Sequence, residues 1–147
     1  MSRCPLCENA TERPAPHAAM TREYWDILQK PLRHVARRCG YALAVHGSLG
    51  YDIDLIAVPW RDSAVGADHL VEEILQAAEK IIGTCMIRSC DKGRVPEKKP
   101  CGRLAWSLYL VPDDPAFLGP YLDLSVLPPI RTPGVPPDIK CPSNEPT

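Results

Sequence analysis

The sequence predicts an α+β domain: a mixed β-sheet with helices packed against it. Two segments repeat apolar residues at three- and four-residue spacing, the mark of a helix with one buried face. Five short runs rich in aliphatic and aromatic residues, set apart by Gly, Pro and Asp, read as strands. Their order is helix, strand, turn, strand, helix, then three strands. At 147 residues with 45% hydrophobic content, the chain is long enough for one well-filled core.

The first helical stripe is Trp25, Leu28, Leu32, Val35, Ala36 and Cys39. Thr21 is its expected N-cap and Gly40 its C′ residue, with Pro31 set to kink or split it. Tyr41 to His46 and Asp52 to Val58 are strands joined by a tight turn over Gly47 to Tyr51. Leu70, Val71, Ile74, Leu75, Ala78, Ile81 and Ile82 form the second stripe, which ends at Gly83. Thr84 to Cys90 is the third strand, and a basic, Pro-containing loop covers Asp91 to Gly102. Leu104 to Val111 and Tyr121 to Val126 complete the set. The domain therefore runs from 21 to 128, after a polar leader over 1–20 expected to be flexible. A tail over 129–147 carries six prolines, which exclude a regular helix or a central strand.

A formal net charge of −1 gives no broad attraction to nucleic acid or membrane. No apolar run reaches the ~20 residues that span a bilayer. Without an apolar segment near Met1, no secretory signal is visible, and a cytoplasmic location is the default. Seven cysteines, an odd number, then read as reduced thiols. Cys4 and Cys7 form a C-x-x-C pair. That pair is either half of a Zn²⁺ site, completed by His17 or Cys39, or two free thiols in the leader.

Chemistry concentrates at residues 46–54, His-Gly-Ser-Leu-Gly-Tyr-Asp-Ile-Asp. Alternate residues of a strand share a face, so Asp52 and Asp54 project side by side from a segment that is otherwise apolar. Two like charges that close are unfavourable without a cation between them, and a divalent metal with oxygen ligands supplies one. Gly47 and Ser48, just before, offer backbone N–H groups and a hydroxyl to a phosphate, although both also suit a plain turn. In the last strand Tyr121, Asp123 and Ser125 share one face, and Leu122, Leu124 and Val126 the other.

This pattern resembles the signature of the DNA polymerase β-like nucleotidyltransferase superfamily: an apolar strand, Gly-Ser, a spacer, and Asp-x-Asp among apolar residues. The resemblance spans roughly residues 21–128. The wording around the motif, with Gly102-Arg103-Leu104-Ala105-Trp106-Ser107 and Leu122-Asp123-Leu124-Ser125-Val126, is also similar to small phage-encoded proteins of this type. It implies a nucleotidyltransferase-like mixed sheet with Asp52, Asp54 and Asp123 as catalytic carboxylates that hold Mg²⁺ or Mn²⁺. Gly47 and Ser48 would hold the phosphates of an NTP. His46, where an apolar residue is usual, would touch substrate or be a satisfied strand-end histidine. Among the basic residues Lys92, Arg94, Lys98, Lys99 and Arg103, the last is the expected phosphate contact, against the alternative of a solvated loop. The implied reaction moves a nucleoside monophosphate from an NTP to a hydroxyl, on a small molecule or protein rather than a long nucleic acid. Only three residues separate Ser48 from Asp52, where many members carry a longer, partly helical spacer. Two alternatives stand beside the transferase: a catalytically silent protein that binds a nucleotide or a host protein, which the short spacer favours, and a metal-dependent phosphohydrolase that uses the same carboxylates.

Overall fold

The computed structural model describes residues 18–87, 95–111, 120–130 and 133–134. Helix α1 covers Ala18–Arg38 and leads into β1, Tyr41–Val45, and β2, Ile53–Pro59. Helix α2, Ala67–Ile82, is followed by β3, Thr84–Ile87, and a two-residue strand β4, Glu97–Lys98. A 3₁₀ turn at Pro100–Gly102 precedes β5, Leu104–Val111, and the last strand is β6, Tyr121–Val126. The sheet order is β1-β2-β6-β5-β3, with β4 beside the start of β5. Only β2 and β6 run parallel; every other pair is antiparallel.

Both helices lie on one face of the sheet. Ile53, Leu55 and Ala57 of β2 and Leu122, Leu124 and Val126 of β6 point into that layer and are fully buried. They meet Trp25, Leu28, Leu32 and Ala36 of α1 and Leu70 and Ile74 of α2 in one continuous core. Burial of this apolar area is the main favourable term in folding such a layer.

Gly40 sits at φ +90°, and a Cβ there would lie 2.8 Å from the Cα of Ala64. Its N–H bonds the Arg37 carbonyl, which turns the chain from α1 straight into β1. Arg61 donates to the Arg38 carbonyl at 2.6 Å and so satisfies the same helix end. The Tyr41 hydroxyl, deep in the core, donates to the Val65 carbonyl at 2.6 Å.

Several expectations change. Helix α1 begins at Ala18, within the segment expected to be leader, and Thr21 is an interior position. Pro31 lies inside α1, which is one element and so is not split there, because the buried stripe continues on both sides of it. The basic loop contains β4 and the 3₁₀ turn. Cys39 is fully buried in the apolar core. Cys4, Cys7 and His17, residues 88–94 and most of the tail fall outside the described residues.

Candidate metal centre

The face of the sheet opposite the two helices carries the site. Asp54 and Asp123 are register partners across the parallel β2–β6 pair. Alternation that buries Ile53, Leu55, Leu122 and Leu124 turns both aspartates to the open side. Asp52 immediately precedes β2. One carboxylate oxygen from each of the three lies within 4.8 Å of the others, and all three residues are half-buried.

The electrostatics follow from this crowding. Asp54 is pushed above the ordinary carboxylate range by burial and then by the Asp52 charge, with a hydrogen bond between the two side chains adding to the rise. Asp123 is raised by burial and then by the charges of Asp54 and Asp52. His46 acts against the rise at both, and Lys99 against that at Asp123. A set of three acidic oxygen donors, in which burial and mutual repulsion disfavour the charged form of two, gains from a hard divalent cation that offsets the repulsion.

The connection before β2 is fastened to this cluster. The His46 N–H bonds the Asp54 carbonyl at 3.1 Å, and the buried Thr21 hydroxyl of α1 donates to the Gly50 carbonyl at 3.2 Å. Leu49 adopts a left-handed conformation at φ +57°. Gly47 is required for space. A Cβ there would come within 2.9 Å of the Asp54 Cβ and Cγ and would also meet its Oδ2. Ser48 is exposed, and residues 46–52 form bends without a helical turn.

Arg103 stands apart from the carboxylates. Its Nε donates to the Pro100 carbonyl at 3.2 Å. It precedes β5, in which Ser107 pairs with Asp123, so four strand residues, roughly 13 Å, separate it from that level of the sheet. Lys99, from the same basic cluster, is the cation whose charge reaches Asp123; it also pairs with Glu97 at 2.8 Å. The residue that sequence reasoning did not single out is Tyr121. Its hydroxyl hydrogen-bonds Asp52, and burial, that bond and the nearby carboxylates push its ionisation far above the usual tyrosine value. Its ring stacks on Tyr109 with centroids 5.5 Å apart. The available signal was its position two residues before Asp123 on the same strand face.

No protein-family model matches the chain, and no curated protein matches it. Among solved structures, the Cid1 poly(U) polymerase with MgGTP bound is similar at 16% identity and a TM-score of 0.44. The match covers 82% of this chain and 36% of that one, so this chain spans about a third of that polymerase's length.

Proposed function

We propose that this chain is a metal-dependent nucleotidyltransferase that joins a nucleoside monophosphate from an NTP to a hydroxyl acceptor. The observation that carries the reading is the convergence of Asp52, Asp54 and Asp123 within 4.8 Å, behind the Gly47-Ser48 turn. The acceptor oxygen attacks the α-phosphorus, the bond from that phosphorus to the β-bridging oxygen breaks, and pyrophosphate leaves. Asp52, Asp54 and Asp123 would hold Mg²⁺ or Mn²⁺, which when bound supplies charge neutralisation for the phosphates and a lowered pKa for the acceptor hydroxyl. Asp123 takes the acceptor proton. Tyr121 orients Asp52 through its hydrogen bond. The Gly47 N–H and the Ser48 hydroxyl receive the β- and γ-phosphates, with His46 beside them; Arg103, expected as a phosphate contact, lies at the far end of the sheet from this turn and has no part in it. A small alcohol or a protein side chain suits the acceptor role better than a long nucleic acid, given a net charge of −1.

One observation favours a silent form that binds nucleotide or a partner without turnover. Residues 46–52 include no helix start, so no helix dipole faces the triphosphate there. Incubation with labelled NTPs, Mg²⁺ or Mn²⁺ and a mixture of small and protein acceptors separates the readings. Transfer releases pyrophosphate and labels an acceptor, and Asp54→Asn abolishes both. Release of inorganic phosphate alone indicates hydrolysis. Nucleotide binding by calorimetry without turnover indicates the silent form, and failure of all four NTPs to bind removes the nucleotide from the reading.

A further inference from the structure

The opposite end of the first hairpin carries a different surface. Strand β1 closes one end of the sheet, and among the described residues it pairs only with β2. The bonds from Trp60 N–H to the Gly40 carbonyl and from His46 N–H to the Asp54 carbonyl fix which residues of β1 face β2. They are the even-numbered ones, since hydrogen-bonded positions alternate along an antiparallel strand. The N–H and C=O groups of Leu43 and Val45 therefore point outward, along the edge. Nothing in Tyr41-Ala42-Leu43-Ala44-Val45 blunts that edge: it holds neither a proline nor a charge.

Beside the edge runs a groove of about 340 Å³, lined by Arg33 and Arg37 of α1, by Tyr41, Ala42 and Leu43, and by Trp60. Among the described residues its lining holds two guanidinium groups and no carboxylate. Arg33 and Arg37 are one helical turn apart and both exposed. Trp60 is 56% exposed, although the Arg61 guanidinium lies over its ring at 5.8 Å. An apolar ring this exposed, next to unpaired strand groups and a pair of cations, lacks a covering partner among the described residues.

We propose that the β1 edge is a docking strand for an extended acidic segment of a partner protein. The incoming strand bonds the outward groups of Leu43 and Val45. Its alternate side chains fall on the helix side of the sheet, where Asp or Glu meets Arg33 and Arg37, while a small or apolar residue between them covers Trp60. A second copy of this chain is the poorer occupant. Two-fold pairing of β1 with itself would lay the two α1 helices side by side and bring four arginines together. A nucleic acid strand would neutralise the arginines and leave the outward amides without partners.

Fluorescence anisotropy with the full chain tests this. The probe is a short labelled peptide that alternates Glu with Val and Thr. It is compared with its Lys-for-Glu version, a version N-methylated at alternate backbone nitrogens, and a single-stranded oligonucleotide of matched length. The Glu peptide binds, its affinity falls with salt, and both N-methylation and the Arg33→Glu/Arg37→Glu double variant weaken it by about tenfold or more. Both arginines are exposed, so the double variant keeps the wild-type circular dichroism spectrum, and it gains affinity for the Lys peptide. The proposal fails if the Glu peptide does not bind or N-methylation leaves binding unchanged. It also fails if the oligonucleotide binds more tightly than the peptide, or if sedimentation shows a dimer that the peptide does not disperse.

Discussion

The two faces of β2 and β6 come from the same few residues and obey different rules. On the helix side, Ile53, Leu55, Leu122 and Leu124 have no exposed surface and belong to one apolar cluster. On the open side, one residue along in each strand, Asp54 and Asp123 sit against each other with Asp52 beside them. The first face is held together by area removed from water. The second is held against its own repulsion by the backbone that the first face fixes. The acidic cluster therefore rides on a rigid support: the core beneath offsets its repulsion and fixes the backbone that carries it, and its own contacts set only how the carboxylates are turned.

The largest effect should come from the support. Leu124→Ala leaves a cavity in the covered layer and should cost ~2–5 kcal/mol in a urea melt. If the faces are separable in this way, the folded fraction of that variant should bind Mn²⁺ with unchanged affinity. A parallel loss of metal affinity would break the comparison.

Gly47→Ala comes next, because it joins the faces. The backbone of Gly47 has no positive φ, so the substitution brings no backbone penalty. The new methyl group instead occupies the place of the Asp54 carboxylate. Either Asp54 rotates away or the turn lifts, at a cost of roughly 1–3 kcal/mol. Mn²⁺ affinity measured by electron paramagnetic resonance should fall with stability here, in contrast to Leu124→Ala.

Asp54→Asn should separate stability from binding in the other direction. Asp54 and Asp123 have folded-state pKa values raised above their ordinary 3.8, so the folded chain holds these protons more tightly than the unfolded chain. Stability from these two groups therefore rises as pH falls through their folded values. It levels off below the unfolded value, where both states are protonated. The metal-free protein should melt higher on mild acidification. Asp54→Asn should reduce that gain and should be at least as stable as wild type at neutral pH. Metal affinity should drop by about tenfold, or 1.4 kcal/mol, or more. A mutant that is less stable than wild type at pH 7 would mean that the carboxylates do not repel one another in the metal-free chain.

These contrasts also mark how far the sequence can be read. Leu104–Val111 and Tyr121–Val126 match their expected bounds residue for residue, since apolar runs between Gly and Pro signals leave little choice. Asp54 and Asp123 were legible as charges inside apolar strands, and Asp52 as their neighbour, although it precedes β2 and is not its first residue. What was hidden depends on chain segments that meet only after folding. Glu97–Lys98 offers no apolar signal and is a strand only because β5 pairs with it. Thr21 has the composition of an N-cap, but its hydroxyl serves the Gly50 carbonyl across the domain. Gly47 suggests room for a phosphate, and the space against its Cα holds the Asp54 carboxylate.

Tyr121 gives the smallest and sharpest comparison, because its ring and its hydroxyl belong to different rules. The ring is half-buried and stacks on Tyr109, and Phe preserves that contact. The hydroxyl reaches Asp52, and Phe removes it. One hydrogen bond to a charged acceptor contributes about 1.5–3 kcal/mol where both groups are buried and nearer 1 kcal/mol in a half-open site. Tyr121→Phe should therefore cost at most about 1 kcal/mol of stability in a urea melt. Its effect should appear in metal binding, because Asp52 is then free to swing. Mn²⁺ affinity should fall by a few fold, about 1 kcal/mol. Tyr121→Ala removes ring and hydroxyl together and should lower both quantities. If Tyr121→Phe lowers stability and leaves Mn²⁺ affinity untouched, the hydroxyl supports the sheet and does not orient Asp52.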